Sequence, residues 1–241
     1  MAIPRQIIFD LDDTILDYSA PAEKLWTRLY PVYARKTGVE VERLQRAVDA
    51  SRRWYWSDLD RFREGRLDIL RARRIFVRAG FENLGLRDES LADELADDFS
   101  RERELVVQPF DGAVEALEIL RSDGAAMVLL TNGEARLQRA KIERFGLERF
   151  FRTVLIESET GVGKPDPRAH RAALAALGAA PEQSWMVGDD LDFDIRPAKV
   201  LGMRAAWIRA SAGDGENPAD VVVVSIRILV EQWKNSENKY Q

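Results

Sequence analysis

The chain has 241 residues, no cysteine, a single histidine (His170) and a net charge of −5. Disulfides, thiolate nucleophiles and thiolate- or imidazole-rich metal sites are therefore excluded, and any metal must be held by oxygen ligands, which points to magnesium. The negative balance argues against a nucleic-acid footprint, while 46% apolar residues suffice for a packed core.

In chain order, Gln6-Ile7-Ile8-Phe9 is short, apolar and β-rich, and reads as a buried strand running into acidic residues. Flanked by Arg5 and Asp10, this run is too short for a signal peptide, and no apolar run approaches a membrane span, so the expected setting is the cytoplasm with no membrane partner. Residues 21–104 change character. They are charged and helical in period, with Leu25, Leu29, Val32 and Tyr33 on one face and Leu91, Leu95 and Phe99 on another. Gly38, Gly65, Gly80 and Gly85 divide this stretch into roughly four helices.

After Pro109 strands and helices alternate. Val114, Leu117 and Leu120 give a helix face, 125–130 a strand, 134–145 a helix stopped by Gly146, 153–156 a strand and 167–177 a helix stopped by Gly178. Strands follow at 185–187, 205–208 and 221–224, with a helix at 195–201. Ser225 is placed to cap a last helix carrying Ile226, Leu229, Val230 and Trp233 on one face, and the polar tail 235–241 is expected to fray. Alternation of this kind predicts an α/β fold, a parallel sheet with helices on both faces. The expected division is a core from 1–16 and 105–241, and a helical insert from 17–104.

Ligands of open α/β sheets bind at the carboxyl ends of the strands. There the chain places Asp10-Leu11-Asp12-Asp13-Thr14, Thr131-Asn132-Gly133, the loop Gly163-Lys164-Pro165-Asp166-Pro167, and Gly188-Asp189-Asp190 with Asp194. Asp10 and Asp12, two apart, point the same way in extended backbone. Clustered carboxylates call for a divalent counter-ion, which would also ease the approach of an anionic nucleophile to a phosphate. A carboxylate such as Asp10 needs no base to become a nucleophile, and Asp12 is suited to give and take a proton. Thr131, Asn132 and backbone N–H groups are suited to hold phosphoryl oxygens, and Lys164 to neutralise their charge. Asp166 followed by Pro167 reads as a helix N-cap with proline at the first turn. Taken singly, Asp12-Asp13 reads as a polar turn, Thr131-Asn132-Gly133 as a turn, Lys164 as a solvated lysine, and Asp189 or Asp190 as helix-capping acids. Taken in order, each after a strand, they read as one site; Asp13 reads as structural and Asp190 stays open.

These four segments closely resemble the motifs of the haloacid dehalogenase-like (HAD) hydrolase superfamily, over the whole chain. The resemblance implies a Rossmann-like core and a C1-type cap in the place of the helical insert. It also implies an aspartyl-phosphate on Asp10, with Asp12 as general acid/base, Thr131 from the second motif and Lys164 from the third. Magnesium would be bound by Asp10, the Asp12 carbonyl and Asp189, supported by Asp194. The implied activity is a phosphatase acting on a small phosphate ester, a sugar phosphate or nucleotide, as monomer or homodimer, with the cap closing over the substrate. A phosphomutase would use the same residues. A 2-haloacid dehalogenase lacks an acid at the place of Asp12, and a non-catalytic relative would show damaged motifs.

Outside these motifs, His170 reads as a surface or packing residue, Trp26, Trp185, Trp207 and Trp233 as core, and Arg71–Arg74 as a solvated helix face. Arg52-Arg53-Trp54-Tyr55-Trp56-Ser57-Asp58 reads equally as pocket lining or as a helix end packed on the insert's own core.

Overall fold

The computed structural model describes residues 3–209 and 217–237. The chain divides into two compact units, Met1–Asp17 with Gln108–Gln241, and Tyr18–Val107.

The first unit is built on a six-stranded sheet. Its strands are β1 (Gln6–Phe9), β4 (Ala126–Thr131), β5 (Thr153–Ile156), β6 (Ser184–Gly188), β7 (Arg204–Ile208) and β8 (Val221–Val223), in the order β5-β4-β1-β6-β7-β8 and all parallel. A separate two-stranded antiparallel ribbon pairs β2 (Leu16–Asp17) with β3 (Gln108–Pro109), two segments too short to show as strands in the sequence. Ile7, Ile8 and Phe9 are fully buried, which is why β1 carries apolar residues on both faces and sits in the middle. Alternate residues serve opposite layers. Ile8, Val128 and Met186 pack with Ala169, Ala173 and Leu177 of α9 (Pro167–Leu177), whereas Trp185 meets Trp233 of α11 (Ile226–Glu237) edge to face at 5.3 Å. The unit also contains α6 (Ala113–Ser122), α7 (Ala135–Arg144), α8 (Glu157–Thr160) and α10 (Arg196–Val200). The α/β parallel architecture read from the sequence is thus present. Ser225 Oγ accepts from the Ile228 N–H at 3.3 Å and caps α11, which runs to Glu237; 238–241 of the tail lie outside the described residues.

The second unit contains five helices among its residues, α1 (Ser19–Thr37), α2 (Val41–Trp56), α3 (Leu59–Leu67), α4 (Ile69–Glu82) and α5 (Glu89–Val106), where glycine spacing suggested four. Two of the breaks are set by aspartates. Asp58 accepts from Arg61 N at 2.9 Å and Asp68 from Arg71 N at 3.1 Å, each capping the helix that follows. Gly65 and Gly80 instead lie inside α3 and α4, where they permit close packing. A Cβ at Gly80 would stand 2.9 Å from the Val48 backbone of α2. The core of the unit is led by Trp26, stacked on Phe99 at 3.9 Å and on Tyr30 at 5.7 Å. Two further expectations need correction. Arg71 and Arg74 are exposed, but Arg73 of the same stretch points inward and is buried. Trp207 is only half-buried, its indole N–H donating to Asp189 O just past the end of β6. No helix among the described residues is long and apolar enough to cross a membrane.

Gly80 separates propensity from packing. Replacing a helical glycine with alanine would by propensity stabilise by about 1 kcal/mol, whereas overpacking against fixed backbone costs about 1–3 kcal/mol. With the obstacle being Val48 backbone, Gly80→Ala is expected to lower the thermal midpoint in calorimetry; a raised midpoint would show that α2 and α4 part easily.

Candidate active site

The polar ends of β1, β4 and β6 and the loop before α9 come together at one edge of the sheet. Asp10 follows β1, and its backbone N–H donates to Val187 O of β6 at 2.9 Å, which fixes the side chain beside the end of that strand. Lys164 Nζ lies 2.5 Å from Asp10 Oδ1 and 2.6 Å from Asp194 Oδ1, and all three residues are buried. Asp10, Asp189 and Asp194 each present a carboxylate oxygen within 4.8 Å of the others. Thr14 Oγ1 donates at longer range toward Asp10 Oδ2 (3.3 Å) and Asp189 Oδ1 (3.4 Å).

Local backbone explains the convergence. Asp13 adopts φ 60°, a left-handed conformation that aspartate tolerates, and its N–H bonds Leu16 O at 2.7 Å, so the chain turns sharply after Asp12. This supports a structural part for Asp13. Gly188 ends β6 against the Asp194 carboxylate, and a Cβ there would collide with it. Asp190 caps a π-helical turn, Leu191–Ile195, accepting from Asp192 N at 2.7 Å and Phe193 N at 2.9 Å. The open question over Asp190 is answered by those bonds: its carboxylate is a cap, and the helix expected at 195–201 starts earlier because of it. That turn swings Asp194 back onto Lys164, with Asp194 Oδ2 accepting from Asp190 N at 3.2 Å. Trp207 donates to Asp189 O at 2.7 Å and steadies the same loop.

Asn132 follows β4 and bonds the lysine loop. Its Nδ2 donates to Lys164 O and its Oδ1 accepts from Lys164 N, both at 2.8 Å. Through these two bonds the side chain positions the lysine loop from the end of β4. Thr131 is buried at the end of β4, where its Oγ1 accepts from Gln138 Nε2 at 2.6 Å.

Two residues of the site have no sequence motif. Lys141 Nζ grips both oxygens of Asp12, at 2.7 and 2.6 Å, and Gln138 Nε2 reaches Asp12 Oδ2 at 3.1 Å and Asn132 O at 2.9 Å. They lie three apart on α7, hence on one face, and both are buried. The detectable signal was polar residues on the same side of that helix as buried Ile142. Glu157, also buried, accepts from Gly133 N at 3.1 Å, and a Cβ on Gly163 would strike it. His170 is a packing residue: fully buried on α9, its pKa is pushed down to about 4 by burial, with the Lys164 charge adding to the effect.

The electrostatics test whether a divalent cation suits these residues. Burial, partly offset by Lys164 and reinforced by Asp194 and Asp12, raises Asp10 to about 7. Burial and the charges of Asp10 and Asp194 raise Asp189 to about 9. Burial also raises Asp194, with Lys164 opposing. Lys164 itself is held above its ordinary value by Asp10 and Asp194 despite its burial. One ammonium thus faces three converging carboxylates, a surplus of negative charge on hard oxygen donors. The set fits a magnesium-like ion.

The family model for haloacid dehalogenase-like hydrolases matches residues 4–202. The phosphoserine phosphatase of Thermus thermophilus is 46% identical over 136 residues, 56% of this chain and 53% of that protein. In matches of this kind the chain spans about half the length of the curated relatives. The magnesium-bound HAD-hydrolase YfnB of Bacillus subtilis superposes with a TM-score of 0.71 at 22% identity, over 95% of this chain and 98% of that one, a likeness of fold. The 2-haloacid dehalogenase of Pseudomonas syringae pv. Tomato gives 0.62 at 28% identity, over 98% of this chain and all (100%) of the other. With the family model covering most of its length, and the strand-end residues gathered in one cluster, the chain belongs to the haloacid dehalogenase-like hydrolase family.

Proposed function

We propose that this chain is a magnesium-dependent phosphatase of small phosphorylated metabolites, working in the cytoplasm through a phosphorylated Asp10. The observation that carries the reading is the buried cluster in which Lys164 holds Asp10 and Asp194 beside Asp189, with Asp12 held separately by Lys141. Magnesium would be held by Asp10, Asp189 and the Asp12 carbonyl with Asp194 alongside, and would supply charge neutralisation for the phosphoryl oxygens.

In the first half-reaction an Asp10 carboxylate oxygen forms a bond to phosphorus while the bond to the ester oxygen breaks, and Asp12 delivers a proton to that oxygen. In the second, Asp12 takes a proton from water as the water oxygen attacks phosphorus, releasing phosphate and restoring the Asp10 carboxylate. Thr131 and Lys164 bind the phosphoryl oxygens, and Asn132 acts through Lys164. Residues 18–107 are read as a C1-type cap from their place in the sequence after β1. Relatives named phosphoserine phosphatase and glyceraldehyde 3-phosphate phosphatase support phosphate esters as the substrate class.

Dehalogenation is the second reading, raised by the likeness to the Pseudomonas syringae enzyme. Asp12 favours the phosphatase, since displacement of halide needs no acid on the leaving group and the chain nevertheless holds this carboxylate in place with Lys141 and Gln138. A phosphomutase would use the same groups, and product analysis with a hexose 1-phosphate distinguishes it.

Asp10→Asn should reduce magnesium-dependent phosphatase turnover by at least about 10³-fold while circular dichroism is unchanged; wild-type-like rates would refute Asp10 as nucleophile. Asp12→Asn should slow alkyl phosphates by about 10²–10⁴-fold, and 4-nitrophenyl phosphate far less, because that leaving group needs no proton. Equal slowing of both esters would remove Asp12 from the acid's role.

A further inference from the structure

Within the helical unit lies a cavity of about 380 Å³, walled by aromatic side chains such as Trp26 and Phe99 and by four arginines, with Glu23 as its one lining carboxylate. That volume is ample for a small molecule. The arginines are not equivalent. Arg52 is already paired, its Nη1 and Nη2 lying 2.8 and 3.2 Å from the Glu23 carboxylate, and Arg53 is exposed. Arg73 and Arg103 are 4% and 2% exposed, and in each the Nη1 atom is buried without a hydrogen-bond partner among the described residues.

Their surroundings support the guanidinium planes but leave these edge donors unmet. Arg103 stacks on the Tyr18 ring at 3.5 Å, and Arg73 lies 5.1 Å from the Phe99 ring centre. Aromatic faces attract a cation but do not accept its in-plane N–H bonds. Burial lowers the Arg73 pKa, and the charge of Arg103 adds to this, while Tyr18 and Glu104 oppose it. Two desolvated cations with unmet donors are costly together unless an anion joins them, and the arginine fork is the side chain best matched to an oxyanion.

We propose that this cavity is a binding site for a small organic oxyanion, a carboxylate or phosphate seated on Arg73 and Arg103 with its apolar body against Trp26 and Phe99. The binding claim stands on residues of the helical unit and does not depend on the phosphatase reading.

The test titrates the full chain with phenylacetate, phenylphosphonate and the neutral phenylacetamide, following the indole N–H signal of Trp26 by NMR with Trp26→Phe for assignment. At least one anion should bind saturably, about tenfold or more tighter than the amide, and shift Trp26 while leaving Trp185 unmoved. Arg73→Met and Arg103→Met should each weaken that binding by about tenfold or more, and Asp10→Asn should not. Absence of binding by both anions, equal binding of the amide, or full binding in both methionine variants would overturn the proposal; if those variants do not fold, the wild-type titration decides. A kinetic arm identifies the source of the anion. If it is part of the substrate, Arg73→Met raises KM for 4-carboxyphenyl phosphate and not for phenyl phosphate. If it is a separate molecule, neither KM moves although anion binding is lost.

Discussion

Lys164 sits between two buried carboxylates, Asp10 and Asp194, and much of the first unit is arranged around keeping it there. Burial of three charged groups is expensive, and removing one partner of such a set typically costs about 3–5 kcal/mol. The surrounding structure is spent on that arrangement. Asn132 fixes the lysine backbone from the end of β4, Gly188 makes room for Asp194, and Asp190 caps the turn that brings Asp194 round. The charges do not cancel, since Asp189 adds a further carboxylate. This surplus is what a divalent cation would balance, and it would place the ion among the same residues that orient the proposed nucleophile.

Asp12 belongs to a second, separate arrangement. Only two residues from Asp10, it is held by Lys141 and Gln138 of α7, and the chain turns sharply after it through the left-handed Asp13. Gln138 also bonds Thr131, so the helix after β4 links the proposed acid to the proposed phosphate-binding hydroxyl. The proposed nucleophile and the proposed acid thus have different cationic supports from different elements, which suits two carboxylates assigned different work.

The parts legible in the sequence were those fixed by local chemistry. The apolar run at Ile7–Phe9 reads as a buried strand, and the acids after it and after Val187 fall at strand ends. Lys164, Asp189 and Asp194 stood out because motif order and strand ends coincide. Other parts needed three dimensions. Lys141 and Gln138 look like ordinary helix-surface polar residues until the packing of α7 turns them inward. Nothing in the sequence reveals that the Asn132 amide bonds both backbone groups of Lys164. In the helical unit, glycines were read as breaks, but Gly65 and Gly80 serve close packing and capping aspartates make two of the divisions. Arg73 was assigned to a solvated face for the same reason: arginine normally lies outside, and its burial is visible only with its neighbours in place.

The central claim is that Asp10 itself receives the phosphoryl group. It is tested most directly by acid-quenching the Asp12→Asn protein during turnover of 4-nitrophenyl phosphate with magnesium, reducing with borohydride and mapping peptides by mass spectrometry. An acyl phosphate on Asp10 would be reduced to homoserine at position 10, and this is the expected product. Reduction at another carboxylate, or none while nitrophenol is being released, would contradict the account.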